Sequence, residues 1–408
     1  MFDQLHDSEP DTLPAEMTDN IIDFLYDDHD SLKSCSLVCR SWRYAARYHL
    51  FDTVQLDFRV FSSFLELLKT NSDIGKLVNS IRVTIRQKKD LHAFETIATH
   101  LGGVKALYLF VQYWELMPPA ALLPHIGPIT TFSIECEWST PSLKELADVL
   151  AALPRVTRLR LGIDRFTGSH RGTALADTLA DIHLESLAVY GHCDVLADCF
   201  RRNASAIPNA LEFDTFDTSA WRSLPELLRE MSTQLEVLRL SIHDRSTSGD
   251  ISDLVSALED CSTLKRLRLK VSFMSLGNVQ DFLSHIHIPN LRELHMIFDF
   301  ANDYFRSTPI ERIDTIVSNT GTIAGILDRE QFRGLTTISF SFLADFVEFE
   351  RPSFESKTRA ACGAIRERTE LSLRFHYREK VKRYGMGFGG FNLNSGSNWR
   401  ELEAELQR

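Results

Sequence analysis

The stretch LPRVTRLRLGI at residues 153–163 carries the phrase that decides the fold: apolar, two variable positions, apolar, one variable position, apolar, here Val156, Leu159 and Leu161. The phrase returns upstream as Phe51-Val54-Leu56, Val78-Ile81-Val83, Val104-Leu107-Leu109 and Ile129-Phe132-Ile134. Downstream it continues as Leu184-Leu187-Val189, a weak copy Pro208-Leu211-Phe213, Leu235-Leu238-Leu240, Leu264-Leu267-Leu269 and Leu291-Leu294-Met296. Successive starts are 27, 26, 25, 27, 28, 24, 27, 29 and 27 residues apart, an interval that chance does not hold nine times. Looser copies follow at Leu335-Ile338-Phe340 and Glu370-Leu373-Phe375.

Helical patterns separate the phrases: Phe61-Phe64-Leu65-Leu68, Leu143-Leu146-Val149-Leu150, Leu224-Leu227-Leu228-Met231, Ile251-Leu254-Val255-Leu258 and Val279-Phe282-Leu283-Ile286. Each puts its apolar residues on one helical face. The unit is therefore one short strand and one helix, too small to bury its apolar face alone, so neighbours must stack. The strands then form a parallel sheet on the inner wall with the helices outside. Ten regular units at about 4.8 Å per strand run roughly 45–50 Å before curvature.

On these phrases the chain resembles a leucine-rich-repeat protein from about residue 51 to 345, and more weakly to 377. Eight places after each phrase start, where that family has a turn-linking asparagine, this sequence has Arg59, Arg86, Gln112, Glu137, Asp164, His192, Phe216, His243, Ser272 and Asp299. The departure favours an irregular arc with long helices. The 44-residue interval from Leu291 to Leu335 predicts a helical insertion near 300–334.

Residues 11–50 differ in character. Leu13-Pro14 precede Met17, Ile21, Ile22 and Leu25 on one helix, followed by Leu32, Cys35, Leu37, Val38, Cys39 and Trp42, which predicts three short helices. A segment this small with so many large apolar side chains leaves some exposed unless it docks on something. The order Leu-Pro-Ala-Glu at 13–16, Ile21-Ile22 and Leu25, Asp30-Ser31-Leu32, then Leu37-Val38-Cys39-Arg40-Ser41-Trp42-Arg43 resembles an F-box, most nearly those of fungal repeat proteins. The resemblance implies binding to a Skp-type adaptor, and through it a cullin, of a ubiquitin ligase. It places Leu13, Pro14, Ile21, Ile22, Leu25, Leu32, Leu37, Val38 and Trp42 in the adaptor interface or the small core beneath it. The alternative is that these residues only cap the solenoid.

Composition sets the limits. The chain of 408 residues is 44% hydrophobic and 25% charged, with net charge −11, which excludes wholly disordered or collagen-like classes. Residues 1–50 carry −6 and residues 351–408 carry +5, so general nucleic-acid binding is disfavoured. Seven scattered cysteines suit a reducing compartment, and an acidic N-terminus without a long apolar run predicts no export signal and no membrane partner. The expected location is cytoplasmic or nuclear.

The residue between the second and third apolar positions faces the inner wall. That column is Gln55, Arg82, Tyr108, Ser133, Arg160, Ala188, Glu212, Arg239, Arg268, His295, Ser339 and Arg374, with Arg158, Arg266 and Lys270 beside it. Arg82, Tyr108, Arg158, Arg160, Arg239, Arg266, Arg268, Lys270 and His295 are thus candidate substrate-binding residues for an acidic or phosphorylated protein, since guanidinium groups grip carboxylates and phosphates bidentately. The competing reading pairs these cations with Glu135, Glu212 and Glu293 on neighbouring strands.

Other constellations point to no chemistry. Cys35 and Cys39 have no second ligand pair at zinc spacing and are expected in the core; His285, His287 and His295 have no acidic ligand spaced with them. The glycine-rich 385–391, between basic residues at 378–383 and a possible helix at 399–407, lacks a Gly-Lys-Ser/Thr ending. No nucleophile elbow and no acid–base pair stands out, so neither an enzyme nor a cofactor is expected. The expectation is an α/β protein: an acidic tail at 1–10, a three-helix F-box at 11–50, an irregular leucine-rich-repeat solenoid at 51–377 with strands concave and helices convex, and a basic, glycine-rich tail at 378–408. Its expected role is substrate recognition for a Skp–cullin–F-box ligase, with a non-ligase binding scaffold as the alternative.

Overall fold

The computed structural model describes residues 15–163, 165–167, 173–191, 193–214, 218–242, 248–300, 309–344, 351–363, 365 and 370–377. Three helices lead: α1 (Ala15–Phe24), α2 (His29–Val38) and α3 (Arg40–Asp52). Asp28 caps α2, its carboxylate accepting the Ser31 amide at 3.0 Å. Ile22, Leu32, Cys35 and Ala46 form a small core of their own, with Leu25, Trp42, Ala45 and Leu50 packed around it.

Helix α3 runs directly into the first of twelve parallel strands that pair in chain order in one open sheet. These are β1 (Thr53–Leu56), β2 (Ser80–Ile85), β3 (Ala106–Val111), β4 (Thr131–Cys136), β5 (Arg158–Ile163) and β6 (Ser186–Val189). Then follow β7 (Ala210–Phe213), β8 (Val237–Ile242), β9 (Arg266–Ser272), β10 (Glu293–Asp299), β11 (Thr337–Ala344) and β12 (Glu370–Tyr377). Alternation with period two buries one face of each strand, as in Leu159, Leu161 and Ile163 of β5, against the helices between strands. Those helices bury the expected positions: Leu143, Leu146, Val149 and Leu150 on one, Leu224, Leu227, Leu228 and Met231 on another. The result is an α/β solenoid in which a continuous apolar core lies between the sheet and its helix layer.

Successive turns are tied by backbone hydrogen bonds at the strand entrances. The carbonyl of Thr130, just ahead of β4, accepts both the Thr157 and Arg158 amides at 2.9 and 3.0 Å. Lys105, Thr157, Asn209, Glu236, Lys265 and Arg292 each accept two amides of the next turn in the same way. A carbonyl has two lone pairs, so this ladder satisfies the strand entrances without any particular side chain. Of the turn positions that replace asparagine, Asp164, His192, Phe216 and His243 lie outside the described residues.

One interval needs a special residue. Gly127 has φ +154°, and a Cβ there would lie 2.4 Å from the Val104 nitrogen and 2.5 Å from its carbonyl oxygen. Glycine alone lets the chain leave the short helix Leu123–Ile126 this close to the preceding turn.

Two expectations are modified. The long interval between the phrases at Leu291 and Leu335 contains one 19-residue helix, Pro309–Leu327, packed in the helix layer between its neighbours Leu276–His285 and Arg351–Ala361. Strands β10 and β11 still pair directly across it. In β12 the column position belongs to Ser372, which pairs with Ser339; Arg374 sits opposite Ser341. Leu371, Leu373 and Phe375 alternate without a break, so the phrase fits two registers. Ring stacking selects one: Phe342 stacks on Phe298 with centroids 4.8 Å apart and on Phe375 at 5.2 Å.

Candidate protein-binding surfaces

The three leading helices keep their small core closed and leave a large apolar surface outside it. On α1, Met17, Ile21 and Phe24 follow at i, i+4 and i+7 and form one exposed stripe, while Ile22 turns inward. Phe24 is 84% exposed and Leu37, at the end of α2, 81%. Val38, Tyr44 and Tyr48 are exposed as well. A hydrogen bond of 2.7 Å between the His49 ring and the Asp23 carboxylate fixes α3 against α1. Of the predicted adaptor residues, Ile22 and Leu32 are fully buried, Leu25 and Trp42 pack against them, and Ile21, Leu37 and Val38 face out. Leu13 and Pro14 lie outside the described residues. Met17, Phe24, Tyr44 and Tyr48 escaped the sequence reading as site residues, although the helical spacing of Met17, Ile21 and Phe24 carries the signal.

Cys35 is in the core, but Cys39 is not. Helix α2 ends at Val38 and α3 begins at Arg40, so the two cysteines do not share a helix; Cys39 is the N-cap of α3. Hydrogen bonds from Ser41 and the Trp42 amide hold its thiol below the usual range.

On the open face of the sheet, the predicted cations stand in the predicted column but mostly in ion pairs. The Arg160 guanidinium lies 3.2 Å from Glu135 and 4.1 Å from the centroid of Tyr190. Gly162, opposite Glu135, makes this possible, because a Cβ there would come within 2.6 Å of the Glu135 side chain. Tyr190 donates to Glu212, which also takes Arg239 at 3.4 Å. Arg266 and His295 both approach Glu293, at 4.0 and 3.6 Å, and Lys270 lies 4.0 Å from Asp299. Burial, with Arg268 beside it, lowers the affinity of His295 for a proton. Arg158 is exposed at the start of β5. The pairings with Glu135, Glu212 and Glu293 are therefore present across β4–β10, and most of the column there is tied into ion pairs.

Arg82 makes no ion pair among the described residues. It faces the ring of Tyr108 on the next strand at 5.5 Å, and its Nε, like that of Arg160, is buried without a hydrogen-bond partner. Sequence spacing placed Arg82 and Tyr108 side by side but could not distinguish them from the paired column.

The remaining candidates hold nothing further. His285 is turned onto Asp281 of its own helix. Among the described residues no group of three or more histidine, cysteine or acidic side chains could hold a metal ion, and no helix is long and apolar enough to cross a membrane. The glycine-rich segment and the basic tail lie outside the described residues.

Residues 10–55 match a family model described as F-box-like. No curated protein matches the chain. Among solved structures, the Rad7 and Elc1 complex of yeast has a chain 11% identical, with 94% of this chain and 97% of that chain covered and a TM-score of 0.35. The chain is thus an F-box-like segment followed by a repeat domain.

Proposed function

We propose, from the F-box-like match and the apolar surface that coincides with it, that this chain is the substrate-recognition subunit of a Skp–cullin–F-box ubiquitin ligase. Helices α1–α3 take the Skp-type adaptor and the repeat array holds a target protein. The observation that carries this reading is the exposure of Phe24, Leu37 and Val38 around a closed miniature core. A segment that only capped the solenoid would bury such side chains against β1; among the described residues they stay exposed, which supports a surface that another protein covers.

The chain's contribution is positional. Holding a target on the same chain as the adaptor raises the effective concentration of a target lysine near the charged carrier. Catalysis belongs to the partners. Co-purification of the full chain with a Skp-type adaptor and a cullin tests the assembly. Capture of both supports the ligase; capture of the adaptor without cullin favours the scaffold reading; capture of neither overturns the proposal.

A further inference from the structure

We infer that the edge of the sheet at the exits of β2–β4 is a docking surface for an acidic protein segment with an aromatic anchor; this names the target chemistry within the function proposed above and rests on it only for the word target.

Backbone bonds align the exits. The Gln112 amide donates to the Ile85 carbonyl at 2.9 Å, and the Trp138 amide donates to the Gln112 carbonyl at 3.0 Å. Arg86, Tyr113 and Trp138 follow these joints on consecutive turns. Trp138 is 63% exposed and Tyr113 45%, large rings that the core does not use. Around them stand Arg86, Lys88 and Lys89, all exposed, with Arg82 on the adjoining wall. None of these four cations makes an ion pair among the described residues, whereas Arg160, Arg239, Arg266 and Lys270 on β5–β9 all do.

The acidic groups nearby do not cancel them. Asp90 is buried and accepts the Arg86 amide at 3.1 Å, and Glu135 is committed to Arg160. Glu115 and Glu137 remain at the edge. A locally cationic surface attracts an acidic segment at close range even on a chain of net charge −11. The exposed rings supply a flat apolar anchor site.

The test uses the purified full chain and fluorescein-labelled random poly(Glu,Tyr), with poly(Glu) and a single-stranded RNA as comparison probes. Expected are saturable binding of poly(Glu,Tyr), weaker binding of poly(Glu), and at least a tenfold loss in both Trp138→Ala and the pair Lys88→Glu/Lys89→Glu. Circular dichroism and adaptor capture on the same preparations should be unchanged, since all three side chains are exposed. Absent binding, binding unaffected by either variant, or tighter binding of the RNA would overturn the inference. Failure of adaptor capture with localised copolymer binding would instead remove only the ligase reading.

Discussion

The guanidinium of Arg160 on β5 lies 4.1 Å over the ring of Tyr190, just beyond β6. Tyr190 in turn donates to Glu212, and Glu135 approaches Arg160 from the other side at 3.2 Å. The middle of the open face is thus a run of alternating charge and ring rather than a cationic groove. Interactions of this kind fix neighbouring strands against one another.

Arg160→Glu should therefore act on stability. It places a third carboxylate beside Glu135 and Glu212 in a site where the native side chain is 14% exposed. The expected loss is roughly 3 kcal/mol, at the lower end of what breaking a buried pair costs, read as a reduced urea midpoint. An unchanged midpoint would show that the network contributes nothing.

Burial, reinforced by the Glu212 carboxylate, pushes the Tyr190 hydroxyl well above 10. The folded chain holds this proton more tightly than the unfolded one, so the associated stability is complete below about pH 10 and is lost as pH climbs towards the folded value. Wild-type protein should lose stability more steeply above pH 10 than Tyr190→Phe does; parallel curves in denaturant titrations at pH 8 to 11 would contradict this.

At the far end of the array, Phe342 stacks between Phe298 and Phe375 and meets Phe354 edge-on at 5.5 Å. Phe342→Ala removes the centre of this stack and leaves a cavity between the last strands and their helix. A loss of about 3–5 kcal/mol is expected. If hydrogen exchange is followed, protection should fall first in β11 and β12.

These features differ in how far the sequence disclosed them. The apolar phrase located the strands because the same three offsets are buried in each turn, and Leu159, Leu187, Leu211 and Leu238 pair in one row. It failed in β12, where uninterrupted alternation leaves register to the contact of Phe342 with Phe375. The column of cations was legible, as were their possible partners. Which way each pair closes depends on side-chain directions, and on Gly162 making room for Glu135. In the leading helices, composition showed an excess of apolar residues over what three helices can bury. The division between Ile22 inside and Ile21 outside is a matter of helix rotation about the small core.

The most direct measurement is the affinity of the full chain for a purified Skp-type adaptor, compared with Leu37→Glu/Val38→Glu. Both side chains are more than half exposed, so the variant should fold with unchanged circular dichroism. At typical interface anchor values of about 2–4 kcal/mol, binding should weaken by at least thirtyfold. Equal affinity of the folded variant and the wild type, or no adaptor binding by either, would contradict the account.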